Sequence, residues 1–171
     1  PILCRQERMG LAIADGFSRT TNGKRIGVFA MQQGPGTENA FPGAAQAFSD
    51  NVPILLIPGG EPTNRSFVSP GFSAVDNYRN VTKLVAQASH VERIPALMRR
   101  AFYQLRTGKA GPVLLEIPRD VWFAEFEGEL DYTPVRGNRT APDPDELKEV
   151  ARVLLDAESP IIHAGQGCLY A

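Results

Sequence analysis

Histidine, cysteine and tryptophan are all scarce in this chain of 171 residues, which holds two, two and one of them. Cys4 and Cys168 lie at opposite ends, without Cys-x-x-Cys spacing or an adjacent histidine, so neither a zinc site nor a disulfide framework is expected and a reducing, cytoplasmic setting fits. Excess charge is also lacking: 18 basic against 19 acidic residues give a net charge of -1, with no basic block. That balance speaks against nucleic acid or an anionic membrane surface as partner. The apolar runs fall far short of the roughly 20 residues needed to span a bilayer, and no signal peptide is recognisable. No phosphate loop ending in Gly-Lys-Ser or Gly-Lys-Thr and no metal-ligand cluster occurs. Gly71-Phe72-Ser73-Ala74-Val75 begins like a hydrolase nucleophile elbow, but valine replaces the closing glycine and no helical pattern follows. His90 before a helix and His163 within an apolar run suit helix-end and packing roles. The chain starts at Pro1 without an initiator methionine and stops at Ala171, where a helix is expected to begin, so it reads as a fragment cut at both ends.

What is present suffices for a core, since 43% of residues are hydrophobic and 22% charged. Continuous apolar runs at 26–31, 54–57, 113–117 and 161–164 lack alternation, which predicts strands buried on both faces and hence a parallel sheet. Met9, Ile13 and Phe17 recur every four residues, and Ile94, Met98, Ala101, Phe102 and Leu105 share one face of a second amphipathic helix. Helices alternating with strands predict a doubly wound α/β fold, in which ligands sit beyond the carboxyl ends of the strands. From Phe123 to Asp143 periodicity gives way to Gly, Pro and polar residues, the composition of an exposed connection. Beyond it, Asp143, Pro144 and Glu146 form a helix-capping signature, followed by the stripe Leu147, Val150, Ala151, Leu154 and Leu155. The run 161–164 then enters Gly165-Gln166-Gly167, a strand-to-glycine turn similar to a Rossmann entry, with Tyr170 where a small residue is expected.

Two runs carry the chemistry. The first is Cys4-Arg5-Gln6-Glu7-Arg8-Met9-Gly10 leading to Ala14-Asp15-Gly16-Phe17-Ser18-Arg19, and the second is Gln32-Gln33-Gly34-Pro35-Gly36-Thr37-Glu38-Asn39. Read from the residues alone, Glu7 is an acidic first-turn residue between Arg5 and Arg8, stabilised by the helix dipole. Gly34, Pro35 and Gly36 alone suffice to link a strand to a helix, glycine by its positive backbone angles and proline by its stiffness. Pro42, more than one turn into that helix, removes a hydrogen bond and predicts a kink or a later helix start. In order, however, these runs together with Asp50, Pro53, Gly59, Thr82-Lys83, Gly111-Pro112-Val113 and Ile117-Pro118-Arg119-Asp120-Val121 resemble the pyrimidine-binding domain of thiamine diphosphate enzymes of the acetolactate synthase and pyruvate oxidase family.

The resemblance implies that residues 1–125 form that domain, truncated at its start, that 126–142 link it onward, and that 143–171 begin a central Rossmann-like domain. It implies Glu7 as the catalytic glutamate, hydrogen-bonded to the aminopyrimidine ring and shielded from water, its acidity moved from about 4.3 towards neutrality. Glu7 is expected to emerge from the end of a strand containing Ile2 and Leu3. Gln32, Pro35, Gly36 and Asn39 would wall the cofactor, with Gln32 on the substrate side, where it hydrogen-bonds a substrate or fills space. The implied cofactors are thiamine diphosphate and Mg2+, whose ligands lie outside this stretch, while FAD is possible and not indicated. The implied substrate is a 2-oxo acid or 1,2-diketone, in a homodimer or homotetramer whose second subunit completes the site, so the chain alone is expected to be inactive. Phe72-Ser73-Ala74 stands where acetolactate synthases carry Phe-Gln-Glu, so acetolactate formation itself is not implied. The other reading is a non-catalytic α/β nucleotide-binding or interaction module that retains the fold.

Overall fold

The computed structural model describes residues 1–66, 68–138 and 140–170; Ala171, where a further helix is expected, lies outside them. Four strands, Gly27–Met31 (β1), Ile54–Gly60 (β2), Leu84–Gln87 (β3) and Val113–Pro118 (β4), pair in parallel in the order β1-β2-β4-β3. Three of them match the apolar runs. β3 does not, because Leu84-Val85-Ala86-Gln87 is too short and too mixed to signal itself and becomes a strand by pairing along β4, Leu84 beside Val113 and Gln87 beside Glu116.

Alternation along the strands sorts the core onto two faces. Ile54, Leu56 and Leu114 pack with Leu11, Ala40 and Ala44 of the helices Glu7–Thr20 (α1) and Pro35–Ser49 (α2). Leu55, Val113 and Leu115 face the opposite way, towards the side covered by Ile94–Arg106 (α4), whose Ala101 and Leu105 are buried there. A one-turn helix, Ala74–Asn77 (α3), lies on the α2 side, and Arg119–Trp122 (α5) follows β4 directly. Helices therefore flank both faces of a parallel sheet, as the pattern predicts.

Several residues of the ordered motifs are architectural. Ser18 is fully buried; its hydroxyl donates to the Pro53 carbonyl at 2.6 Å and accepts from the Gly27 amide at 2.8 Å, pinning α1 to the starts of β1 and β2. Arg19 pairs with Asp15 on its own helix and with Asp50 at the end of α2, at 2.6 Å for the second pair. Lys83 Nζ donates to the carbonyls of Gln104 and Thr107, the latter at 2.9 Å, satisfying the end of α4.

Four expectations are corrected. Residues 1–6 contain no strand, and Ile2 and Leu3 are exposed. α2 starts at Pro35 and runs unbroken through Pro42, because Glu38 and Pro42 both face solvent, where water can serve the carbonyl that loses its partner, while Ala40, Ala44 and Ala47 bury the opposite side. Residues 160–165 form no strand: Ile161 is 94% exposed, His163 is exposed too, and no described segment pairs with them, so their backbone has no ladder to join. Gly165 leads into a 3-10 turn, Gln166–Leu169, and Tyr170 packs against Gly23 instead of opening a nucleotide loop. The capping signature does form a helix, Pro144–Asp156 (α6), with Asp143 accepting from the amides of Asp145 at 2.8 Å and Glu146 at 3.4 Å; its apolar stripe is exposed.

Glu116, in the middle of β4, is 7% exposed and shares the face of Leu114. Burial pushes its carboxyl above the ordinary value, a hydrogen bond from Gln87 opposes this, and the charge of Asp76 adds to the upward shift.

Two outcomes follow from these buried polar groups. Ser18→Ala orphans an amide and a carbonyl, and is expected to lower unfolding free energy by about 2 kcal/mol in urea denaturation. For Glu116 the folded state holds its proton to higher pH than the unfolded chain, so stability is full below the unfolded value and falls as pH rises through the folded one. Glu116→Gln, which never ionises, should gain in melting temperature relative to the parent as pH is raised from 5 to about 8; equal pH profiles would contradict a neutral buried Glu116.

Candidate functional site

β1 leaves the sheet at Met31, and Gln32 and Gln33 carry the chain out beyond its carboxyl end. Gly34 then turns it back with φ 59°, ψ -113°, a left-handed backbone that glycine adopts without the steric cost other residues meet. Pro35 opens α2 at its first position, where its missing N–H costs nothing, and the Glu38 amide donates to the Gly34 carbonyl at 2.8 Å.

The turn is braced from below. Thr37 is fully buried and its hydroxyl donates to the Gln32 carbonyl at 2.9 Å. Tyr78, also fully buried, donates its hydroxyl to the Thr37 carbonyl at 2.7 Å, and its ring meets Phe41 edge-on with centroids 5.1 Å apart. Burial raises the Tyr78 phenol well above its ordinary value, so it serves only as a neutral donor. Neither Thr37 nor Tyr78 is marked by local pattern, since each acts through a carbonyl that the fold brings to it from elsewhere.

Glu7 begins α1 and reaches this turn. A Cβ placed on Gly36 would lie 3.0 Å from Cβ of Gln32 and 3.4 Å from Oε1 of Glu7, so the glycine floor is what lets the carboxylate and the turn approach. Asn39, one turn into α2, donates from Nδ2 to Glu7 Oε2 at 2.7 Å. The structure thus brings together Glu7, Gln32, Gly36 and Asn39; Pro35 lies in the same turn and is exposed. Gln32 is exposed, while Gln33 donates to Glu61 at 3.3 Å.

The electrostatics of Glu7 differ from expectation. Its carboxyl sits below the ordinary value, held there first by the Asn39 hydrogen bond and then by its own backbone amide, with desolvation acting weakly the other way. The expected upward shift needs desolvation to outweigh these hydrogen bonds, and here it does not. Oε1 has no side-chain partner among the described residues, so the site offers one satisfied and one available carboxylate oxygen over a glycine floor. Such a group can hold a ring nitrogen of a flat heteroaromatic ligand.

The remaining candidates resolve plainly. Ser73 caps α3, accepting from the Asp76 amide at 3.2 Å and donating to its carboxylate at 2.8 Å; a helical turn does follow it, and no histidine adjoins. Phe72 is partly buried and packs against the core. His90 is exposed and contacts Ser89. Among the described residues no group of three His, Cys, Asp or Glu side chains is placed to hold a metal ion, and no helix is long and apolar enough to cross a membrane.

Comparison with known proteins identifies the family. Residues 1–95 match the family model described as thiamine pyrophosphate enzyme, N-terminal TPP binding domain, TPP being another name for thiamine diphosphate. The chain is 31% identical to a probable acetolactate synthase large subunit of Methanocaldococcus jannaschii, over 98% of this chain and 29% of that protein. It is 32% identical to a glyoxylate carboligase of Escherichia coli O157:H7, over 99% of this chain and 29% of the relative. In three dimensions it is similar to the benzoylformate decarboxylase from Polynucleobacter necessarius, with TM-score 0.81 and 26% identity over 94% of this chain and 30% of that one. The chain thus spans under a third of the length of these relatives, and within that span the sequence match and the parallel sheet agree: it belongs to the thiamine diphosphate enzyme family, as its N-terminal cofactor-binding domain.

Proposed function

We propose that the protein containing this chain makes or breaks carbon-carbon bonds beside the carbonyl of 2-oxo acids or 1,2-diketones, and that this chain supplies the pyrimidine side of its thiamine diphosphate site. The observation that carries the reading is the Glu7 carboxylate, set over Gly36 and hydrogen-bonded by Asn39 at 2.7 Å. The relatives named above, a synthase, a carboligase and a decarboxylase, support the bond type.

When bound, the cofactor supplies a carbon nucleophile and an electron sink. The chain's own residues do the rest. Glu7 would hold the pyrimidine ring through its free oxygen, Oε1, and supply a proton-sharing carboxylate there, while Asn39 fixes the other oxygen and hence the carboxylate plane. Gly36 and the Gly34 turn leave room for a flat ring against the backbone. Gln32, which is exposed, would lie on the substrate side of the site.

A second subunit completes the site in this reading. Met9, Ile13 and Phe17, the apolar stripe of α1, are 57%, 45% and 38% exposed and offer an apolar contact face on the helix that Glu7 begins. In a homodimer or homotetramer whose second subunit also covers Glu7 itself, desolvation would move its acidity upward, towards the range where proton sharing at neutral pH is effective. Mg2+ would bind with the cofactor's diphosphate in the second subunit's part of the site. Residues 1–125 form the pyrimidine domain, 126–142 the connection and 143–171 the start of the next domain; FAD is not part of this proposal.

Glu7→Gln in the full-length protein is expected to slow proton exchange at the cofactor's thiazolium carbon by at least about a hundredfold, read by NMR, with the circular dichroism spectrum unchanged. Exchange at the parent rate would sink the reading. In this chain alone, Asn39→Leu removes the hydrogen bond that favours ionisation, so the Glu7 carboxyl should titrate upward towards its ordinary 4.5, followed through its side-chain carbon resonance.

A further inference from the structure

The α2 face of the sheet holds a second polar feature that the Glu7 site does not use. A cavity of about 250 Å3 opens beyond the carboxyl ends of β2, β3 and β4, with Phe72 and Val75 on its apolar side and Gln87 and Glu116 on its polar side. This is smaller than the roughly 300–1,000 Å3 typical of drug-sized pockets, and suits a fragment of a few heavy atoms. A narrow crevice of about 30 Å3 adjoins it, lined by Gln33, Gly34 and Thr37 of the turn together with Phe72 and Glu116. Glu116 therefore stands on both spaces, between the cavity and the turn that carries the candidate cofactor site.

The carboxyl of Glu116 is built in rather than tolerated. Gln87 Nε2 donates to its Oε1 at 2.6 Å, which occupies that oxygen as an acceptor. Gly60 backs it so closely that an added Cβ would lie 3.0 Å from the carboxyl atoms. Among the described residues Oε2 has no hydrogen-bond partner and Glu116 has no cation paired with it. Burial without a paired cation favours the protonated form of this acid, and a protonated carboxyl whose other oxygen is occupied offers one O–H and one remaining lone pair. Its complement is a group that both donates and accepts, a hydroxyl. Around the rim stand Glu61, Asp76 and Arg65, and Asp76 is paired with Arg79 at 3.7 Å.

We propose that this cavity is a specificity subsite for the non-reacting end of the substrate, in which Glu116, oriented by Gln87, hydrogen-bonds a hydroxyl on a short 2-oxo acid. It deepens the 2-oxo acid reading of the preceding subsection and rests on it. Glu116 selects among substrates and takes no part in proton transfer.

Pyruvate and hydroxypyruvate, which differ only by that hydroxyl, are the probes. In the full-length protein kcat/KM is expected to favour hydroxypyruvate; Glu116→Leu should cut the preference at least about tenfold, the scale of one lost hydrogen bond, and Glu116→Gln, which still donates, should keep most of it. Val75→Phe fills the cavity from a partly exposed position and should lower the preference without touching the carboxyl, so the test survives a poorly folded leucine variant. Independently of turnover, hydroxypyruvate should protect the amides of residues 74–78 from hydrogen exchange and pyruvate should not. A protein that exchanges its thiazolium proton yet shows no preference for hydroxypyruvate, or one unaltered by Glu116→Leu and Val75→Phe, overturns the subsite. Amide protection in a protein without thiazolium exchange would instead keep the subsite and overturn the catalytic reading.

Discussion

The hydrogen bond from Asn39 to Glu7 spans 32 residues of sequence, and it depends on how closely α1 and α2 pack. Small side chains set that closeness. Ala40, Ala44 and Ala47 are fully buried, and a Cβ on Gly43 would fall 2.6 Å from Leu11 Cδ2, so any larger residue there must displace the buried Leu11 side chain or the helix that carries it. A carboxylate and an amide must approach within about 3 Å to be partners, so a separation of an ångström dissolves the arrangement. The polar ties beneath hold the same geometry: Ser18 fastens α1 to both neighbouring strands, and Arg19 joins α1 to the end of α2.

Residues of one ordered motif therefore divide into two kinds of work. Asp15, Ser18, Arg19, Asp50 and Pro53 hold the helix pair together, while Glu7, Gly36 and Asn39 use it. The turn between them is braced for a reason visible only in the fold: Thr37 and Tyr78 stack two hydrogen bonds beneath Gln32, the deeper of them buried. Rigid support suits a site whose function is to hold a flat ring and one proton in place.

Amphipathic pattern is a sound guide to helices here and an incomplete guide to burial. In α4 the stripe ending in Ala101 and Leu105 packs on the sheet as its period implies. In α1 the stripe Met9, Ile13 and Phe17 is real, yet Gly10, Leu11, Ala14 and Ser18 are the residues that face the core. Such a helix has two faces to satisfy, one small and tightly packed, one large and apolar, and periodicity registers the larger. The run 161–164 fails for the complementary reason: apolar residues make a strand only when another strand is present to receive their backbone hydrogen bonds. Glu116 escapes notice because the apolar residues around it in β4 define the strand, although an acid inside a strand buried on both faces is itself the signal of a special environment.

What the sequence determined by itself is local. Short apolar runs without alternation, helices between them, a Gly-Pro-Gly turn after the first strand and an acid at a helix start all follow from backbone sterics, periodicity and capping, and the sheet, the helices and the turn of residues 7–122 form on them. Tertiary structure decided every pairing across distance: β3 as a strand, the outward stripe of α1, Asn39 as the partner of Glu7, and Glu116 as an acid enclosed between Gly60 and Gln87. The physical reason is that these depend on strand order and helix proximity, which no local window contains. The direction in which a carboxyl's acidity moves is set in the same way, by what the fold places beside it: an amide donor for Glu7, burial for Glu116.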